Sequence, residues 1–124
     1  MPEPKKIGVV IFRPIEVRPN YIDYEAVAEY TRKLSGVSEV QILSAGVKPK
    51  PTEIAEHLRE SKLTGMVLAG EMPGYFKPAY TRAMVEVGND PEKVRLAAFR
   101  GQGTELGGAT DRAKAIVACA VYGV

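Results

Sequence analysis

The chain has 124 residues, and 45% of them are hydrophobic while 26% are charged, which is the composition of an ordinary globular protein. Its 17 Lys and Arg residues are interspersed with 15 Asp and Glu residues, and the net charge of +2 is too small to indicate a nucleic-acid partner. This length is typical of one domain that folds without disulfides, so we predict a single domain over residues 1–124.

The remaining composition excludes several other classes of protein. The single cysteine, Cys119, cannot form an internal disulfide or a multi-cysteine metal site. The first apolar run is about seven residues long, which is too short to cross a bilayer, and no cleavage-site pattern follows it. We therefore expect a cytoplasmic protein with no membrane partner.

Strand and helix patterns alternate four times along the chain. The predicted strands are Lys6–Phe12, Val37–Leu43, Met66–Ala69 and Val94–Phe99. The predicted helices run from the Asp23 cap to about Leu34, from Pro51 or Thr52 to about Leu63, from Ala79 to before Gly88, and from Ala109 to Val121. This alternation favours a mostly parallel sheet in an α/β three-layer sandwich, Rossmann-like or flavodoxin-like, although the strand order is not visible in the pattern.

Charged and aromatic residues gather in the loops that follow the predicted strands. In an open α/β sheet, ligands bind beyond the carboxyl ends of the strands, so we expect a site at this rim. The candidate ligand or partner residues of the rim are Arg13, Arg18, Glu71, Tyr75, Lys77, Arg82, Arg100 and Gln102. Glu71 with one of the arginines can bind a polar small molecule or can simply be neutralised within its loop. Tyr75 and Phe76 can form an exposed docking surface or can pack over the loop.

The motifs of several common enzymes are absent. The stretch Phe12–Ile15 after the first strand has no glycine, so neither a dinucleotide fingerprint nor a P-loop is present. His57 lies off the apolar stripe of its helix among glutamates, which favours a solvated surface histidine over a catalytic base. Cys119 falls in an apolar helix, and we expect a buried, inert thiol. The glycine-rich stretch 101–108 is either a flexible connector or an anion-holding loop.

Two segments carry a resemblance to a known family. Tyr24–Leu34 (YEAVAEYTRKL) and Met66–Arg82 resemble the N-terminal domain of the flavin-containing subunit of heterodisulfide reductase. The segments GMVLAGEMPG and PEKVRLAAF are also similar to the small delta subunit of methyl-viologen-reducing hydrogenase. The first resemblance extends over essentially the whole chain. It implies the same α/β fold and an ancestor whose strand-end loops bound iron–sulfur clusters.

The cysteines that this resemblance implies are replaced. Phe12 and Pro14 stand at the Cys-x-Cys positions after the first strand, and Glu71 stands at the cysteine after the third. The family's Ile-Arg-Glu-Gln-Cys run reads Phe99–Gly103 here, and no cysteine occurs in Leu43–Gly46. The framework positions that the resemblance retains are Pro73, Pro78, Arg82, Arg100 and Gln102. Because such clusters are held by cysteine thiolates, we expect no cofactor and no metal on this chain.

The resemblance therefore predicts an accessory or interaction subunit without catalytic activity of its own. Its expected partners are subunits of a heterodisulfide reductase or hydrogenase-type redox complex, or further copies of the chain. The family domain precedes a larger flavoprotein region that this sequence does not include, so we expect no flavin. The alternative is a small-molecule-binding protein or enzyme with its pocket at the carboxyl ends of the strands.

Overall fold

A computed structural model of the chain describes residues 6–13, 22–44, 46, 49–70, 73–99 and 109–124. The strands are β1 (Ile7–Arg13), β2 (Val37–Ser44), β3 (Gly65–Gly70) and β4 (Val94–Ala98). The α-helices are α1 (Tyr24–Arg32), α2 (Pro51–Ser61), α3 (Lys77–Glu86) and α4 (Ala109–Tyr122), and short 3-10 helices span Pro73–Tyr75 and Pro91–Lys93.

The four strands form one parallel sheet with the order β2-β1-β3-β4. Phe12 of β1 pairs with Gly70 of β3, which pairs in turn with Ala98 of β4. This order is that of flavodoxin-like folds, in which β2 is added on one side of β1 and β3 and β4 on the other. The change of side leaves a crevice at the carboxyl ends of β1 and β3. The predicted α/β three-layer architecture is therefore confirmed, and the crevice of this strand order lies beside Phe12 and Gly70.

The core has one apolar cluster on each face of the sheet. On one face Val9, Ile11 and Val67 pack with α1 and α4, and on the other Val10, Phe12 and Leu68 pack with α2 and α3. Successive residues of β1 therefore alternate between two helical layers, which explains why six of its seven residues are buried. The predicted apolar run of the first strand is confirmed.

The helix ends follow local chemistry. Asp23 caps α1 as predicted, because its Oδ1 accepts a hydrogen bond of 3.1 Å from the Ala26 N–H. The predicted end at Leu34 is two residues too late, since the helix stops at Arg32. The predicted start of α3 at Ala79 is also too late, and the helix begins at Lys77 because Pro78 fits in a first turn, where its missing N–H is not required.

Candidate functional site

Four of the eight rim residues lie in the described part of the chain. Arg13 ends β1, Tyr75 ends a 3-10 helix, and Lys77 and Arg82 belong to α3. The other four rim residues, Arg18, Glu71, Arg100 and Gln102, fall outside the described residues, and so does the stretch 101–108. The geometry of the rim therefore rests on the first four side chains and their neighbours.

Two stacked phenylalanines mark the crevice between β1 and β3. The rings of Phe12 and Phe76 lie 3.9 Å apart between centroids with an interplanar angle of 5°, and both side chains are buried. Phe12 stands where the resemblance places a cysteine. In the described part of the chain, the Phe12–Phe76 pair thus fills the space beside the carboxyl end of β1. The stack also holds the 3-10 helix before α3 against the sheet.

Arg13 lies on the opposite face of the sheet from this stack. Its guanidinium approaches Glu25 Oε1 at 3.4 Å and sits 5.9 Å from the centroid of the Tyr24 ring, both at the start of α1. The alternation of side chains along β1 explains the separation, because Phe12 faces α3 while Arg13 faces α1. The structure therefore does not bring Arg13 onto the surface that carries Tyr75.

Tyr75 is exposed close to an apolar side chain that the sequence did not single out. The residue is 62% exposed and its ring packs edge-on against Phe76, with centroids 5.2 Å apart. Leu96 of β4 is 40% exposed and lies beside Gly74, since a Cβ on that glycine would be 3.8 Å from Leu96 Cδ1. We call Tyr75 and Leu96 the rim patch.

The rim patch borders an open sheet edge. β4 pairs only with β3 among the described strands, so its outer backbone N–H and C=O groups have no strand partner there. Lys77 begins α3 directly after the patch and is exposed. Arg82 lies five residues later in α3, about 7.5 Å further along the helix axis, so it is set away from the strand ends.

A second group of polar side chains lies between β2 and α2. His57 Nε2 is 2.9 Å from both carboxylate oxygens of Glu39, and Ser61 Oγ is 3.4 Å from the same nitrogen. The prediction that His57 is a solvated histidine among the helix glutamates missed this partner, which is 18 residues away on β2. Because carboxylate and hydroxyl meet the same nitrogen, the three residues do not have the arrangement of a nucleophile–base–acid triad.

An adjoining cavity of about 180 Å³ opens beside this pair. Its walls are largely apolar and come from β1, β2, α2, β3 and the segment before β3, including Val10, Leu58, Leu63 and Met66. Tyr80 of α3 also lines the cavity and is only 4% exposed, and burial raises the pKa of its phenol from 10.0 to about 12. The apolar spacing of α3 correctly indicated that Tyr80 faces inward, but it gave no sign of a cavity.

The structure corrects the prediction for Cys119. Its thiol is exposed rather than buried. Ala113, Val117 and Val121 form the stripe of α4 that packs on the sheet, and Cys119 lies two residues from Val117, which points it away from that stripe. It borders the open groove between α4 and β4. Within the described ranges, no group of three or more His, Cys, Asp or Glu side chains is placed to hold a metal ion.

No family model matches this chain, and no curated protein matches it by sequence. A relationship to heterodisulfide reductase thus rests on the sequence motifs themselves. The fold and the site together define the class: an α/β protein of flavodoxin-like strand order with an exposed tyrosine at the carboxyl edge of its sheet. None of the helices in the described segments has the length and apolar character needed to cross a membrane.

Proposed function

We propose that the protein is an accessory subunit that works by protein–protein contact through the rim patch and the neighbouring edge of β4. The observation that carries this proposal is the exposed Tyr75 ring, held edge-on to the buried Phe12–Phe76 stack. The partners are subunits of a heterodisulfide reductase or hydrogenase-type redox complex, as the resemblance implies.

The chemistry of the surface favours contact with another protein. Tyrosine is enriched among the residues that dominate binding energy at interfaces, and a ring that is already fixed loses little conformational entropy on binding. The Leu96 side chain extends the apolar area, and the outer edge of β4 offers backbone groups that a strand of the partner can pair with. Lys77 is exposed two residues after Tyr75, so an acidic surface on the partner is complementary.

The replaced cysteines support the same proposal. Phe12 occupies a position where the resemblance implies a cluster ligand, and its ring instead stacks on Phe76 inside the core. An apolar side chain in that place contributes to packing and cannot ligate iron. A chain that keeps the framework positions of the family and loses its cluster cysteines can keep the surface that contacts the other subunits of the complex. We therefore propose that it acts by contact and not by electron transfer.

A second copy of the chain is the other partner that the open edge of β4 allows. Two such edges can pair antiparallel around a twofold axis and bury both Leu96 side chains. We do not propose a ligand pocket at the described part of the rim, because the stacked phenylalanines fill the space between the strand end and α3.

The proposal is tested by purifying the tagged chain without oxygen from its source organism and identifying co-purifying proteins by mass spectrometry. We compare Tyr75→Ala with Tyr122→Ala. Both tyrosines are well exposed, at 62% and 67%, but Tyr122 ends α4 near the start of β3, at the amino ends of the strands and away from the rim. Removal of either phenol ring leaves the core intact.

We expect subunits of a redox complex to co-purify with the unaltered chain and with Tyr122→Ala. With Tyr75→Ala their recovery should fall at least about tenfold, as for the loss of an interface hot spot. Light scattering of the purified chain alone tests whether the partner is a second copy of the chain. A dimer that becomes a monomer in Leu96→Asp would show that two copies pair through the edge of β4. Equal recovery of redox subunits with both tyrosine variants, or their absence from a monomeric chain, contradicts the proposal.

A further inference from the structure

The cavity between β2 and α2 lies apart from the rim patch, and its construction indicates a ligand. Its volume of about 180 Å³ is slightly larger than that of engineered apolar cavities that bind benzene. The apolar part of the lining is made by buried side chains of the core, among them Val10, Leu58, Leu63 and Met66. A molecule with one small ring or a short branched chain therefore fits this space.

Two of the polar side chains that line the cavity are paired with each other across different elements. Glu39 and His57 line the cavity from β2 and α2, and their side chains are 27% and 41% exposed, which places them where the cavity meets solvent. His57 uses Nε2 toward the Glu39 carboxylate, whose two oxygens retain further lone pairs for another donor. Glu39 is therefore both paired and available to a ligand that donates a hydrogen bond.

Tyr80 of α3, which also lines the cavity, supplies an independent observation. Only 4% of the residue is exposed, and no hydrogen bond joins its hydroxyl to another residue of the described segments. Every fully buried side-chain polar atom in those segments has a partner, so the Tyr80 hydroxyl retains some accessible surface, and Tyr80 is one of the residues that line the cavity. A nearly buried hydroxyl of this kind gains free energy from a polar group or water bound beside it.

The charges around the cavity select among possible polar groups. Glu39 and Glu53 both line it, and His57 is the only basic side chain among its described lining residues. A carboxylate or phosphate would meet two carboxylates, whereas an ammonium group would be attracted by them and would donate to Glu39. The lining therefore discriminates against anions and favours a cation that carries N–H donors.

We propose that this cavity is a binding site for a small apolar amine, whose hydrocarbon body lies against Val10, Leu58 and Met66 and whose amino group donates to Glu39. The Tyr80 hydroxyl contacts the same ligand from α3. The site does not use the rim patch, so it stands or falls independently of the proposed docking function.

The test is a titration of the isotope-labelled chain followed by nuclear magnetic resonance, with benzylamine as the probe. Benzyl alcohol and benzoate serve as ligands of nearly the same shape with a neutral and an anionic head group. The variants are Glu39→Gln, which retains the shape of the side chain, and Tyr80→Phe, which removes only the hydroxyl. Glu86→Gln, an exposed position at the end of α3 outside the cavity, is the matched control.

We expect benzylamine to shift the amide signals of residues around the cavity and to bind more tightly than benzyl alcohol, with benzoate weakest. Glu39→Gln should weaken benzylamine about tenfold or more and Tyr80→Phe about fivefold, while Glu86→Gln should leave the affinity unchanged. Absence of benzylamine binding, binding of benzoate with equal affinity, or unchanged affinity in Glu39→Gln overturns the proposal. The ligand series on the unaltered chain decides the question even if a variant fails to fold.

Discussion

Gly70, at the end of β3, lies where the backbone leaves no room for a side chain. Its φ is +102°, in the region that L side chains rarely adopt, and a Cβ there would overlap the Phe12 carbonyl oxygen and lie 2.9 Å from the Phe12 nitrogen. The Gly70 carbonyl also accepts a hydrogen bond of 3.0 Å from the Phe99 N–H. The end of β3 is thus held against β1 and against the residue that follows β4.

Gly70→Ala should destabilise the fold far more than Gly88→Ala. Gly88 also has a positive φ, of +81°, but a Cβ there meets nothing within 4 Å. The strain of a left-handed alanine costs about 1 kcal/mol at Gly88, and the added overlap with the Phe12 backbone should bring the cost at Gly70 to about 3 kcal/mol or more. Urea unfolding measures both, and equal losses would show that the close contact between β1 and β3 is absent.

Tyr80 should impose a pH dependence on stability in the alkaline range. Burial raises the folded-state pKa of its phenol from 10.0 to about 12, so the unfolded chain releases this proton at a lower pH than the folded chain does. The contribution of the Tyr80 phenol to the free energy of unfolding is fully present below pH 10 and is lost as the pH rises toward 12. At pH 11 the free energy of unfolding is lower by about 1.4 kcal/mol for this reason.

The measurement is the free energy of urea unfolding at about pH 9 and about pH 11 for the unaltered chain and for Tyr80→Phe. The variant lacks the phenol, so its stability should fall less between the two pH values, by the amount assigned to Tyr80. An identical fall in both proteins would mean that Tyr80 ionises as readily in the folded chain as in the unfolded one.

The beginnings of α1 and α4 are joined through Asp23. Its side chain caps α1, while its backbone N–H donates a hydrogen bond of 2.9 Å to Thr110 Oγ1 at the start of α4. The two helices pack on the same face of the sheet, where Val27 and Val117 share one apolar cluster. The cap therefore satisfies an otherwise unpaired N–H group of α1 and also sits at the junction of two elements.

Asp23→Ala should destabilise the chain by about 1 kcal/mol, the usual cost of a lost helix cap. Asp111→Ala is the control, because Asp111 lies in the first turn of α4, its side chain is 88% exposed, and its Oδ1 is 3.9 Å from Lys114 Nζ. That change should cost a few tenths of a kcal/mol at most. Thermal unfolding followed by circular dichroism compares the two, and similar losses would contradict the capping role of Asp23.

The elements themselves were predictable to different degrees. The apolar stripes of α1 and α2 follow from spacing alone, since Val27, Ala28 and Leu58 are buried as their periodicity indicates. The exposed Cys119 was missed because the composition of an apolar helix does not show which of its faces another element covers. The Glu39–His57 contact was missed because it joins β2 to the helix that follows it, across 18 residues of sequence. Local periodicity within a strand or a helix does not predict which residues of two such elements meet.

The order of the strands decides where the surfaces of the whole molecule lie. Alternation of strands and helices predicts a parallel sheet, but it does not distinguish β4 at an edge from β4 in the centre. Only the edge position leaves Leu96 exposed beside Tyr75 and makes the rim patch a surface that a partner can cover. The sequence predicts a rim of charged and aromatic residues. In its described part, Tyr75 and Lys77 lie together beside an aromatic stack, whereas Arg13 faces the other side of the sheet.

The central claim is that the chain acts by contact with redox subunits and carries no iron–sulfur cluster. Native mass spectrometry of the tagged chain, purified from its source organism without oxygen, tests both parts in one measurement. We predict complexes that contain this chain with redox subunits, from which gentle dissociation releases the chain at the mass of its polypeptide alone. A chain that is released with the added mass of iron and sulfide, or that is found only as a free monomer, would contradict the account.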